Sequence, residues 1–377
     1  MMSIFSALIA CCYSSITILF GTAVGWRYLH QKSIQLSWHL WILVASLPLC
    51  YYLLDSIGVA VFAIVSLVVY GYLPTPSLDV GNKAVLITGC DSGFGHATAK
   101  HLDSLGFQVF AGCLVKGGKG EQQLINNCSG QLTTLQLDVT KQEQIDEAFH
   151  IIKEKLDGKG LWGLVNNAGI HGIINVELQP IHVFQKVWNV NCLGAIRMIK
   201  KYLPLIRKSR GRIVNLSSFA GRFPFVGASA YCISKAGVEM LSDVLRQEMK
   251  DLGVSVSIIE PGAFKTEISE KSKIDLMYRD IMEDLDDEIK MTYDIEKQRS
   301  RMDVTKDADS GQSTDLSPVT GVIQDALLSK HPKSRYPIGQ RGGTFIWLAN
   351  HVPSVILDRV LPAFSLDLYL VRPRKVQ

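Results

Sequence analysis

The first 26 residues of this 377-residue chain carry no charged side chain. Nowhere is there a Cys-x-x-Cys pair or a Cys/His cluster at zinc spacing, although there are eight cysteines. No metal site and no disulfide framework are therefore expected, and the scattered cysteines of the later chain suit a reducing compartment. The chain also lacks a dense Lys/Arg tract and any interleaving of basic with aromatic residues, and its net charge is only +4. Nucleic acid is not an expected partner. Positive charge is missing ahead of the first apolar stretch, and a second apolar stretch follows, so a secretory signal peptide fits poorly.

What the N-terminus does hold is apolar length. Residues 4–26 suffice to cross a bilayer as a helix. After Arg27, His30 and Lys32 the chain turns apolar again from about Trp38 to Leu73, with Asp55 near the middle. That exceeds one span. Either two short helices, about 38–54 and 56–73, meet near Asp55, or one span is followed by a re-entrant piece. With three spans, Arg27 and Lys32 share a face with the downstream domain, and the positive-inside rule makes that face cytosolic. Residues 1–73 are expected to be a membrane anchor of two or three spans.

Leu73-Pro74-Thr75-Pro76-Ser77 punctuates the change of composition, giving a linker over 74–82 and a catalytic domain over 83–330. Lys83-Ala84-Val85-Leu86-Ile87-Thr88 reads as a buried strand. Gly89-Cys90-Asp91-Ser92-Gly93-Phe94-Gly95 and a helix from His96 to Leu105 follow it. Glycines 89, 93 and 95 remove Cβ atoms where a strand turns into a helix, so backbone amides can approach a pyrophosphate. The spacing is G-x-x-x-G-x-G, and alone it does not separate a nucleotide site from a glycine-rich turn. Further strands are expected at Gln108–Gly112, Thr134–Leu137, Gly163–Val165, Arg212–Leu216 and Val254–Ile259. Strands alternating with helices argue for an α/β fold, a doubly wound parallel sheet of Rossmann-like kind.

A second stretch carries chemistry. Ser218 ends the apolar run Arg212–Leu216 by two residues, and Tyr231 and Lys235 are four apart, sharing a face if helical. An ammonium beside a phenol favours the phenolate, which suits proton transfer with an alcohol. Tyr28…Lys32 and Tyr293…Lys297 repeat the spacing, so the pair gains meaning only from the glycine motif upstream.

Thr88-Gly89-x-x-x-Gly93-x-Gly95, Asn166-Asn167-Ala168-Gly169, Asn191, Ser218, Tyr231-x-x-x-Lys235 and Pro261-Gly262 through Thr266 stand in order. Together they resemble the short-chain dehydrogenase/reductase family over roughly residues 82–330, and its membrane-anchored steroid and retinoid branch most closely. The resemblance implies Tyr231 as acid/base, Lys235 lowering its pKa and holding the nicotinamide ribose, Ser218 bonding the reacting oxygen, and Asn191 holding a relay water. Gly89, Asp91, Ser92, Gly93, Phe94 and Gly95 would line the cofactor, with Asn166, Ala168 and Gly169 as its floor. Asp138 would contact adenine, unless it is only a helix cap; Pro261, Gly262 and Thr266 would close over the nicotinamide amide. His171 reads as a surface histidine, with a place facing substrate as the alternative.

The acidic residue that binds the adenosine ribose is missing after the second strand, where Gly112-Cys113-Leu114-Val115 stand. Lys116 and Lys119 would attract a 2′-phosphate, whereas Asp91 would repel one and Ser92 stands where NADP-preferring relatives carry a basic residue. NAD is favoured, with NADP the alternative. The implied reaction is NAD-dependent oxidation of a lipophilic steroid, the 17-beta-hydroxyl favoured; 11-beta-hydroxysteroids and all-trans-retinol are alternatives. A catalytically silent, membrane-tethered binding protein is the reading from another class. The branch further implies an endoplasmic-reticulum membrane location with a cytosolic catalytic domain, and a homodimer. Past Thr266, Ile268–Met302 is expected to be a lid over an apolar pocket, Pro318–Lys330 a helix, and 331–377 an apolar extension too interrupted to span.

Overall fold

The computed structural model describes residues 4–29, 55–72, 76–172, 174–265, 285–293, 313–339 and 342–360. Two compact units result: residues 1–79 with 328–331, and the remainder.

In the first unit, α1 (Ile4–Leu29) and α2 (Asp55–Tyr72) are apolar helices. Tyr13 of α1 meets Phe62 of α2 with ring centroids 5.7 Å apart, and Ile9 joins them in a small buried cluster. Ser14 and Thr17 donate back to the carbonyls four residues earlier at 2.9 and 2.8 Å, which satisfies both hydroxyls within the helix. Among the described residues no helix is long and apolar enough to cross a membrane. The membrane-spanning helices expected from the sequence are thus not found there, and the expected span at about 38–54 lies outside the described residues.

The second unit is built on seven parallel strands in the order β3-β2-β1-β4-β5-β6-β7. They are β1 (Ala84–Thr88), β2 (Gln108–Cys113), β3 (Leu132–Gln136), β4 (Gly163–Asn166), β5 (Arg212–Leu216), β6 (Ser255–Pro261) and β7 (Arg335–Ile338). β1, β4 and β5 are buried at every position, as strands covered by helices on both faces must be. The helices are α3 (Gly93–Ser104), α4 (Lys119–Asn127), α5 (Gln142–Lys155), α6 (Ile181–Trp188), α7 (Gly194–Ser209), α8 (Ser229–Glu248), α9 (Asp287–Thr292), α10 (Ser317–Leu328), α11 (Gly342–His351) and α12 (Ser354–Val360). Leu86, Phe110, Leu164 and Ile213 of adjacent strands pack with Ile145, Ile152, Met198 and Tyr202 of α5 and α7 into the main core.

The doubly wound sheet read from the sequence is therefore present. It continues past residue 330, because β7 pairs in register with β6 from Ile258–Arg335 to Pro261–Ile338. Beyond it α11 and α12 bring Phe345 and Leu357 onto Phe223.

Candidate active site

Strand β1 feeds a turn that only small residues permit. Gly89 has φ +71°, and a Cβ there would stand 2.9 Å from the Ala168 Cα; one on Gly95 would stand 2.2 Å from the Gly89 carbonyl oxygen. Ser92 is the residue before α3, and its side chain makes no capping bond. The first turn of α3 is thus left for an anion, with backbone N–H groups and helix dipole aimed at it.

Two residues that carried no assigned role in the sequence hold this turn. Thr88 Oγ1 accepts the N–H groups of Asn167 and Ala168 at 3.1 and 3.0 Å. Asn167 Nδ2 donates to the carbonyls of Thr88 and Gly89 at 2.8 and 3.0 Å. The signal was the second asparagine of the Asn-Asn-Ala-Gly run.

Its neighbour Asn166 behaves differently. The Asn166 amide is buried in the sheet and donates to Asn215 Oδ1 at 2.8 Å, and Asn215 in turn donates to Ser242 Oγ at 2.8 Å. Asp138 accepts the Thr140 N–H and hydroxyl at 2.9 and 2.7 Å, the bracing expected of a turn into α5. The Gly262 N–H donates to Ile338 of β7 at 2.7 Å. Just past it, the Phe264 ring meets Phe94 of the glycine turn edge-on, centroids 5.5 Å apart. Phe264 and the strand contact behind it were missed, and Thr266 lies outside the described residues. Asp91 accepts the N–H groups of Leu114 and Val115 at 2.8 and 3.0 Å.

The reacting groups converge where β5 ends. Ser218 is extended, and its Oγ accepts the Ala220 N–H at 3.2 Å, opening a short turn over Phe219–Gly221. Tyr231 and Lys235 lie on α8. The Lys235 ammonium donates to the Leu216 carbonyl at 2.8 Å and sits 5.6 Å from the centroid of the Tyr231 ring. Asn191 lies in a wide π-type turn, Asn189–Leu193, between α6 and α7, a distortion that recurs at functional sites. Its Oδ1 accepts the Ile170 N–H at 2.8 Å, and its Nδ2 donates to the Ile170 carbonyl and to Ser234 Oγ, both at 2.9 Å. A Cβ on Gly169 would be 3.4 Å from Asn191 Oδ1 and 3.5 Å from Lys235 Nζ. Ser218, Tyr231, Lys235, Asn191 and Gly169 thus occupy one place.

Burial dominates their electrostatics. Burial pushes the Tyr231 phenol up to about 12, with the Ser218 hydroxyl bond pulling the other way. Burial also lowers Lys235 to about 8, against the carboxylate of Glu239 and Cys192. Desolvation of the phenolate is the largest influence on the phenol, ahead of the Ser218 bond and the neighbouring Cys232 thiol. Among the described residues no cluster of His, Cys, Asp and Glu has the makings of a metal site.

The short chain dehydrogenase family matches residues 83–276. The chain belongs to that family. This short-chain dehydrogenase is 42% identical to mouse estradiol 17-beta-dehydrogenase 2 over 286 residues, covering 75% of each chain. It is 43% identical to bovine mitochondrial D-beta-hydroxybutyrate dehydrogenase, covering 74% of this chain and 84% of that one. It is 41% identical to mouse retinol dehydrogenase 7, covering 74% and 88%. A short-chain dehydrogenase from Streptomyces avermitilis shares the fold, with a TM-score of 0.58 at 24% identity over 76% of this chain and 98% of that one. The protein is an oxidoreductase of the alcohol-dehydrogenase type with a nicotinamide dinucleotide cofactor, and the glycine turn, the uncapped first turn of α3 and the Ala168–Gly169 floor fit such a group.

Proposed function

We propose that the protein oxidises the 17-beta-hydroxyl of a steroid with NAD at the endoplasmic-reticulum membrane. The observation that carries the substrate class is the wall beside Ser218. Phe219, the next residue, has ring centroids 6.4 Å from Phe223, 5.9 Å from Phe225 and 5.8 Å from Phe345. The half-buried Phe219 and Phe225, backed by the buried Phe223 and Phe345, would offer a rigid apolar alcohol an aromatic contact, and burying such a substrate contributes roughly 25 cal/mol per Å².

The bound nicotinamide supplies the hydride acceptor. Tyr231, as phenolate, takes the hydroxyl proton; Ser218 bonds the same oxygen and steadies charge as it develops. Lys235, tied to Leu216, holds the ribose and favours the phenolate. Asn191 backs Lys235 through the turn at Gly169, where a relay water would be held.

NAD is favoured because Asp91, on the glycine turn, places negative charge where a 2′-phosphate would come. The membrane location rests on apolar residues 1–73, on outward-facing Ile18, Leu19, Ile64 and Leu67, and on hydroxyls bonded back within α1. A helix apolar all round needs an apolar surrounding. A homodimer and a cytosolic catalytic domain complete the proposal.

Retinol is the second reading, favoured by the 41% identity to mouse retinol dehydrogenase 7. The test uses microsomes containing the full chain, following NADH formation with estradiol, testosterone, a glucocorticoid, all-trans-retinol and 3-hydroxybutyrate, each with NAD and NADP. Fastest NAD-dependent oxidation at a 17-hydroxyl is expected. Turnover confined to retinol or hydroxybutyrate would move the substrate, and no turnover in a preparation that binds NADH would favour a silent binding protein.

A further inference from the structure

The sequence has no dense Lys/Arg tract, yet the fold assembles one. All seven strands are parallel, so their N-terminal ends share one edge of the sheet with the C-terminal turns of the helices leading into them. In the second unit, exposed Lys153, Lys155 and Lys159 lie in the last turn of α5 and the loop beyond it. Exposed Arg207, Lys208 and Arg210 do the same for α7. Lys250, just past α8, and Lys333, just ahead of β7, extend the row. These segments touch: Lys208 donates to the Gly158 carbonyl, and a Cβ on Gly253 would lie 3.3 Å from the Arg210 side chain. Glu154, Asp157, Glu248 and Asp251 are the exposed acids among them, so eight positive charges stand against four negative ones. That excess equals the net +4 of the whole chain, which leaves the rest of the molecule neutral in sum. Beside Lys155 and Lys159 runs an open groove of about 410 Å³, bordered by Gly81, Gly106 and Gly130 and lined by no carboxylate.

We propose that this edge of the sheet docks on the anionic phospholipid headgroups of the membrane that holds the N-terminus. The inference rests on the membrane location proposed above and adds which face of the second unit meets the bilayer, and through what chemistry. Chain length argues for the place. The apolar N-terminal stretch ends at Leu73 and β1 begins at Ala84, and an extended chain of that length reaches at most ~40 Å. The entry to β1 belongs to this same edge. Charge argues for the partner, because Lys/Arg clusters next to a membrane anchor are drawn to anionic lipid. Complementing helix dipoles does not account for the cluster. A helix C-terminus carries about half a negative charge, and its influence fades beyond the last turn, whereas Lys159, Arg210, Lys250 and Lys333 lie outside the α-helices. The groove beside Lys155 and Lys159 has room for a phosphate headgroup.

The test embeds the full chain in nanodiscs of phosphatidylcholine, alone or with phosphatidylserine added, and follows amide hydrogen exchange. Amides over 156–160 and 250–253 should exchange roughly fivefold more slowly or better with phosphatidylserine present, and high salt should remove that protection. Lys153→Glu/Lys155→Glu/Lys159→Glu should abolish the difference between the discs. Lys116→Glu/Lys119→Glu, past the opposite end of β2, should leave it intact. The lipid and salt comparisons need only wild type, so they decide the matter even if the triple variant does not fold. Equal exchange in both discs overturns the proposal, and so does protection that ignores salt or falls on α11 and α12 instead. Equal protection by inorganic phosphate added to phosphatidylcholine discs would show recognition of a free anion and not of a membrane surface, which also overturns it. The membrane location is read separately. Release of wild type from phosphatidylcholine vesicles by alkaline carbonate would refute that reading, whereas a chain that stays embedded without lipid-dependent protection refutes the docking alone.

Discussion

The imidazole of His171 lies against the ring of Tyr231, with centroids 4.3 Å apart and planes tilted by 46°. A histidine after an Asn-Asn-Ala-Gly turn reads as a surface residue, but this one is half-buried and its Nδ1 is enclosed with no partner among the described residues. Burial, and the Lys235 charge after it, hold its pKa down to about 4.

The sign of the pH effect follows. The unfolded chain takes up this proton near the ordinary histidine value of about 6.5, the folded protein only near 4. The stability concerned is whole above pH 6.5 and declines as pH falls from 6.5 toward 4, because protons then favour the unfolded state. His171→Phe keeps a ring against Tyr231 and removes the titration. Melting temperatures measured from pH 7 to pH 4 should fall less steeply for that variant than for wild type. Parallel curves would mean that the imidazole titrates freely.

Ser218 is the side chain that opposes burial at the Tyr231 phenol. Ser218→Ala should therefore push the phenol higher still and move the alkaline rise of the pH–rate profile upward. Losing one donor to the reacting oxygen costs about a hundredfold to a thousandfold in kcat, while NADH affinity should hold. A variant with an unshifted profile would show that Ser218 acts only as the cap of the turn to Gly221.

Much of this was legible in the sequence for a physical reason. Buried parallel strands are nearly continuous apolar runs, so β1, β4 and β5 announce themselves, and the Gly89 turn is fixed by sterics that no other residue meets. β7 was not legible: it is four residues long and contains Pro337, a composition tolerated at a sheet edge. Asp91 and Leu114 are 23 residues apart, and no local pattern reveals that a carboxylate closes that gap. The desolvation that dominates the Tyr231 phenol was not legible either, because spacing shows which charge is near and not how much water is lost.

Asn191 makes three hydrogen bonds with one amide, two of them to Ile170. Asn191→Leu keeps the volume and leaves the Ile170 N–H and carbonyl without these partners. Each buried polar group stranded in this way costs about 1–3 kcal/mol. A fall in urea-unfolding free energy of that order is expected, together with loss of turnover, since the wide turn carries Asn191 beside Lys235. Asn191→Asp retains the acceptor and should recover part of the stability but little activity. Full activity in Asn191→Leu would remove this residue from the proton path.

Arg335 of β7 gathers three carboxylates behind Lys235. Its guanidinium pairs with Glu239 and Asp243 of α8 and with Glu260 of β6, the last at 3.1 Å, while Arg222 reaches Glu260 at 3.3 Å. Glu239 lies one helical turn beyond Lys235 and raises its pKa, in opposition to burial. Removing one partner of a fully buried ionic cluster costs about 3–5 kcal/mol; here Glu239 and Glu260 are buried but Arg335 and Asp243 are partly exposed, so Arg335→Ala should be destabilised by less than that. Arg335→Lys should recover only part, because an ammonium lacks the planar fork that serves several acceptors. The double variant Arg335→Ala/Glu239→Gln separates packing from charge. If stranded charge is the cause, neutralising Glu239 restores stability and lowers the pH at which Lys235 loses its proton, read as an earlier alkaline loss of NADH binding. If the double variant is as unstable as the single one, Arg335 holds β7 in the sheet by its contacts alone, and Lys235 does not feel it.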